Sequence, residues 1–156
     1  MTLTEHGIYL VDDLYFADFP SGTWMQNKSS TRPHYYVFKD SSGLPWMIPM
    51  SSKTEKYKRK ISDLEAVHGK GKCAFYHIGF VNGRESAFII SGMFPVTSKY
   101  ILRSYDMQEQ PVIIKNATLN ADIRRKAVRY IKLLEQGKLK DMNNVLSIRQ
   151  SLLQQK

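Results

Sequence analysis

From Met50 to Lys60 the chain reads Met-Ser-Ser-Lys-Thr-Glu-Lys-Tyr-Lys-Arg-Lys, so the hydroxyls of Ser51 and Ser52 stand beside the ammonium groups of Lys53 and Lys56. That combination suits an anion, above all a phosphate. Hydroxyls and backbone N–H groups at a strand-to-helix junction point toward such a ligand, and a helix N-terminus adds partial positive charge. Lys53 or Lys56 can then neutralise a nonbridging oxygen. Tyr57, Lys58, Arg59 and Lys60 continue the run with one aromatic face and three cations, the usual means of guiding single-stranded RNA. A plainer reading makes Ser52 a helix cap and the lysines a solvated helix face. Composition does not separate the two.

His34 is the second candidate, in Thr31-Arg32-Pro33-His34-Tyr35, at the start of a strand whose partner is expected to deliver Ser51 and Ser52. A histidine titrating near neutrality can move a proton during RNA cleavage, and Arg32 beside it can hold a phosphate. The alternative is a structural histidine. His6, His68 and His77 have no comparable hydroxyl and cationic setting. Other chemistries lack their signatures: there is no Gly-rich phosphate loop ending in Lys-Ser or Lys-Thr, no His-Glu-x-x-His pair and no Gly-x-Ser-x-Gly elbow. Cys73 is the single cysteine, which excludes an internal disulfide and a thiolate metal cluster. The acidic residues form no obvious divalent-metal cluster, so no cofactor is expected. RNA needs none, because its own 2′-hydroxyl can attack the adjacent phosphorus once aligned and relieved of a proton.

The elements that must position these groups read as α+β. Gly7–Val11 and His34–Lys39 carry the β-branched and aromatic residues that suit strands. Asp40-Ser41-Ser42-Gly43 makes a turn into 44–50, whose Pro45 and Pro49 argue for an edge strand or a strand end. Strands over 73–81 and 85–96 form a hairpin about Asn82-Gly83, a pair that readily adopts positive φ. A short helix is expected around Tyr57, Ile61, Leu64 and His68. A longer one spans 119–136, with Ile123, Ala127, Tyr130, Ile131 and Leu134 on one stripe and Gly137 as its stop. A last helix from about Asp141 is expected to bury Met142, Val145, Leu146 and Leu152.

These elements fit one domain over residues 1–156. The 23 Lys and Arg against 14 Asp and Glu give a formal charge of +9. Residues 1–27 hold four acids and no Lys or Arg, so 28–156 carries 23 basic against 10 acidic residues, a formal +13. A polyanionic partner follows, bound through counterion release. No apolar stretch is long enough to span a membrane and the N-terminus lacks a secretory pattern, so a cytoplasmic location is expected.

The block Arg32-Pro33-His34-Tyr35-Tyr36-Val37-Phe38-Lys39, then Gly43 to Lys53 and Lys56-Tyr57, resembles the core of the type III toxin–antitoxin toxins, the family of ToxN, AbiQ and CptN, and most closely the CptN branch. The resemblance implies a compact SH3-like curved antiparallel β-barrel of the MazF and Kid type, with added helices. It implies an endoribonuclease leaving 2′,3′-cyclic phosphate and 5′-hydroxyl ends. Its partners would be substrate RNA and a short repeat-derived RNA antitoxin in a closed hetero-oligomeric assembly. The family's hydroxyl pair falls on Ser51 and Ser52, and its lysine on Lys53 or Lys56. ToxN has a lysine where this chain has His34. Two other classes use the same letters: a noncatalytic single-stranded RNA-binding module, and a basic domain that binds an acidic protein. Ser52, a lysine and His34 around one phosphate-sized pocket would favour catalysis.

Overall fold

The computed structural model describes residues 2–155. In chain order its elements are β1 (Ile8–Val11), α1 (Asp13–Asp18), β2 (Pro33–Lys39), β3 (Pro45–Ser51), α2 (Thr54–His68), β4 (Tyr76–Val81) and β5 (Arg84–Ile89). Then come β6 (Phe94–Pro95), β7 (Ile101–Ser104), β8 (Asp106–Met107), β9 (Gln110–Pro111), α3 (Ala117–Glu135) and α4 (Val145–Gln154). The fold is α+β. The main sheet is antiparallel and runs β4-β5-β3-β2-β1-β7, with β6 also on β3.

Two expectations give way to the observed topology. Among the described residues the sheet does not close into a barrel: β4 and β7 end the ladder without pairing to each other. Closure requires strands of matched length and stagger all round, and β6, β8 and β9 are only two residues each. Nor is β3 an edge. It pairs with β2 along one side, while its other side changes partner midway, from β6 at Trp46 and Met47 to β5 at Met50 and Ser51. Pro49 sits in the gap between those partners, where its missing N–H removes no ladder bond on that side.

The core lies between this curved sheet and the helices. Tyr35, Trp46, Phe88 and Phe94 are fully buried on the strands, and Tyr15 of α1 joins them, its hydroxyl donating to the Pro95 carbonyl at 2.7 Å. α3 lays its predicted stripe on the sheet, with Leu119, Ile123, Ala127, Tyr130, Ile131 and Leu134 buried. Asn116 caps it by accepting from the Leu119 N–H at 3.1 Å. Two features fix its height above the strands. A Cβ at Gly79 would lie 2.5 Å from Leu119 Cδ1, so glycine permits the close approach. The Tyr35 hydroxyl donates to Asn120 Oδ1 at 2.6 Å, while Asn120 Nδ2 donates to the Ile114 carbonyl at 3.0 Å.

α2 starts earlier than its apolar spacing suggests and buries only Tyr57, leaving a largely exposed basic surface. α4 begins at Val145 because Asp141 accepts from the Val145 and Leu146 N–H groups, and Met142 stays exposed in the loop before it. No helix of the described residues is long and apolar enough to cross a membrane.

Candidate active site

Arg32 precedes β2 and Ser51 ends β3, and pairing of His34 with Pro49 in the β2–β3 ladder brings the two strand ends together. Across β3, Met50 pairs with Phe88 and Ser51 with Ala87 of β5, so alternation puts Arg84 and Ser86 on the face of Met50, next to the strand end that carries Ser51 and Ser52. A cavity of about 210 Å3 opens between them, lined by Lys28, Arg32, Ser51, Ser52, Arg84, Ser86 and Tyr105 over an apolar base that includes Ile8, Met50 and Val81. Its wall thus carries three cations and three serine hydroxyls, and no carboxylate.

Arg32 is the best-held of these groups. It is only 7% exposed, its Nε donates to the Gln26 carbonyl at 2.6 Å and its Nη1 to the Met50 carbonyl at 2.7 Å. Burial lowers its pKa from the ordinary arginine value. Among the described residues no carboxylate pairs with it and Nη2 has no hydrogen-bond partner. A buried guanidinium lacking an acid is costly unless an anion visits it. The loop beside it is strained in the same place: Lys28, Ser29 and Ser30 all adopt left-handed φ values of 52°, 56° and 63°, each disfavoured for a residue with a side chain. The Arg32 N–H and the Thr31 N–H hold this turn by donating to the Asn27 carbonyl at 3.1 and 3.0 Å. That turn presents Lys28 to the cavity.

Of the sequence candidates, Arg32, Ser51 and Ser52 meet at the cavity. Lys53 adjoins them, exposed, as the first flanking residue of α2, and its N–H donates to Ser51 Oγ at 3.2 Å. His34 is elsewhere. It is 1% exposed, packs edge-on against Phe94 and places Nδ1 2.9 Å from the Arg32 carbonyl. Burial lowers its pKa to about 3, so the ring is neutral near neutrality. It does not line the cavity, and moving a proton there would require it to leave the core.

Lys56, Tyr57 and Lys60 line a second, separate hollow. Lys58 reaches Glu85 at 2.8 Å and Glu55 at 3.3 Å, and the Glu85 hydrogen bond raises its pKa. Arg59 is exposed. Lys28, Arg84, Ser86 and Tyr105 join the cavity without any local motif to mark them in the sequence. Arg84 and Ser86 alternate from the Asn82-Gly83 turn, a signal that gains meaning only once β5 is known to neighbour Ser51. Among the described residues no three His, Cys, Asp or Glu side chains gather as a metal site would require.

No protein-family model and no curated protein sequence matches the chain. Solved structures do share its fold. The fold is similar to that of AbiQ, a lactococcal anti-phage endoribonuclease belonging to the type III toxin–antitoxin system, with TM-score 0.69 and 12% identity over 98% of this chain and 100% of that one. A structure from a bacterial antiviral system regulated by a processed non-coding RNA gives TM-score 0.56 and 15% identity, over 96% of each chain.

Proposed function

We propose that this chain is the toxin of a type III toxin–antitoxin system of the CptN branch, an endoribonuclease acting in the cytoplasm without a metal and restrained by a short RNA. The observation that carries this reading is the acid-free cavity lined together by Arg32, Ser51 and Ser52, with Arg32 held there by the Met50 carbonyl. A phosphodiester supplies the missing anion. The 2′-hydroxyl attacks phosphorus, the bond to the 5′-oxygen breaks, one proton leaves the 2′-oxygen and one is gained by the 5′-oxygen. Arg32 Nη2 and the Ser52 hydroxyl donate to the nonbridging oxygens, where negative charge grows. Lys28, Arg84 and Lys53 neutralise it from the rim, and Lys53 and Lys28 exchange the protons. His34 holds the Arg32 backbone from beneath. The shared fold with an anti-phage endoribonuclease supports the assignment.

The antitoxin RNA occupies the same cavity as a retained product or substrate-like inhibitor, within a closed toxin–RNA assembly. The test is incubation of purified protein with RNA in excess EDTA, followed by end-group analysis. Products should carry 2′,3′-cyclic phosphate and 5′-hydroxyl ends. Ends bearing 5′-phosphate, or loss of cleavage in EDTA, would overturn the chemistry.

A further inference from the structure

On the other side of the α2 start, Lys56, Tyr57, Tyr76, Tyr130, Lys140 and Asn143 line a second hollow of about 470 Å3. It is larger than the cavity at Ser52 and of a different composition. The Tyr57 and Tyr76 rings lie 5.3 Å apart at 48°, forming an open aromatic angle rather than a closed stack. Lys56 Nζ stands 5.4 Å from the Tyr57 centroid and Lys60 Nζ 6.0 Å from that of Tyr76, so flexible exposed lysines already reach both rings. Lys140 adds a cation at the rim, and no carboxylate lines the hollow.

Asn143 supplies a second, independent observation. It is nine-tenths buried, and its Oδ1 accepts from the hydroxyls of Ser21 and Thr23. Its Nδ2 has no hydrogen-bond partner among the described residues, yet it is not one of the atoms sealed from solvent. An amide donor is thus left unused on a residue that lines the hollow beside its aromatic, aliphatic and basic side chains. Flat apolar rings, an unused amide donor and surrounding cations match one ligand chemistry: a nucleobase with its phosphates. An acidic peptide would use the lysines but leave the ring faces unused.

We infer that this hollow is a nucleobase subsite, where one base of a single-stranded RNA stacks on the part-exposed Tyr76 ring, which the buried Tyr57 backs, offers an acceptor to Asn143 Nδ2 and rests its phosphates on Lys60 and Lys140. The inference rests on the RNA-cleaving reading above and extends it to a second contact away from the scissile bond. Ser52 lines the first cavity just before α2, and Tyr57, the fourth residue of α2, lines the hollow. The two sites therefore flank one another across the start of α2, and a strand leaving Ser52 can continue into the hollow.

The probes are four short 2′-O-methyl homo-oligoribonucleotides, one per base, which lack the attacking hydroxyl and cannot be cleaved. Binding is read by fluorescence anisotropy. Tyr76→Leu keeps the charge and removes the ring, so affinity should fall about tenfold for the preferred base. Asn143→Asp keeps the acceptor for Ser21 and Thr23 and removes the unused donor, so the order of preference among the four should change. As a control for misfolding, the ratio of kcat/KM for a long RNA to that for a dinucleotide should fall in Tyr76→Leu, since a stability defect lowers both. If wild type cleaves RNA and both variants bind all four probes as wild type does, the subsite is wrong and the nuclease reading stands. If wild type neither binds nor cleaves RNA, the nuclease reading fails and takes the subsite with it.

Discussion

Ser51 and Ser52 are neighbours with different duties, because Ser51 Oγ already accepts from the Lys53 N–H at 3.2 Å whereas Ser52 is exposed at the cavity. We therefore expect Ser52→Ala to slow cleavage about 10²- to 10³-fold, the effect of removing one donor to a developing oxyanion. A thermal melt should be unchanged, since Ser52 takes no part in the core, and full cleavage by the folded variant would remove Ser52 from the mechanism. His34 makes the opposite kind of prediction. Its folded pKa of about 3 lies below the ordinary 6.5, so between those values the unfolded chain binds a proton that the folded chain does not. Stability from this group is complete above about pH 6.5 and declines toward pH 3, by at most about 1.4 kcal/mol per pH unit. The His34 ring signals in a proton NMR titration should stay fixed between about pH 5 and 8. A signal that titrates near 6.5 would bring the ring to solvent and restore it as a proton carrier.

Among the elements, α3 bears most on the site indirectly, because it backs the sheet whose strand ends build the cavity. Its anchor is polar as well as apolar: Asn120 is 8% exposed and both ends of its amide are occupied, by the Tyr35 hydroxyl and the Ile114 carbonyl. Tyr35→Phe leaves Asn120 Oδ1 buried without a donor, which costs about 1–3 kcal/mol. Urea denaturation should show a lower midpoint with an unchanged slope, and an unaltered midpoint would mean that water or a shifted Asn120 replaces the hydroxyl. Partner exchange along one edge likewise explains β3. A strand with two prolines stays central because its outer edge changes partner at Pro49, and that change leaves Ser51 beside β5 rather than beside β6.

Across the whole molecule the positive excess of residues 28–156 is not spread evenly in effect. Lys58 is engaged with Glu55 and Glu85, whereas Lys28 and Arg84 face the acid-free cavity without an ion-pair partner among the described residues. Neutralising Lys28 and Arg84 should reduce the slope of log affinity for single-stranded RNA against log salt, by about 0.7 for each phosphate no longer neutralised. Lys58→Gln should reduce it less. Equal slopes for all three proteins would place the RNA on another face, with the exposed cations of α3 as the next surface to test.

Residue order alone determined the α+β class, the hairpin at Asn82-Gly83, the buried stripe of α3 and the grouping of Ser51, Ser52 and Lys53. These are encoded locally, in alternation, in helical spacing and in turn chemistry, and they survive whatever the rest of the chain does. The nearness of Arg32 to Ser51 was also legible, because a turn between two successive strands brings their far ends together. What only tertiary structure decided were the other members of the site and the fate of His34. Lys28, Arg84, Ser86 and Tyr105 arrive from segments far apart in sequence, and Ser86 stands next to the strand end that carries Ser51 only because β5, not its neighbour β4, pairs with β3. His34 and Tyr35 are adjacent in the chain, yet a histidine's protonation is set by what encloses it. Phe94 and the Arg32 carbonyl reach its ring through contacts that no local spacing records.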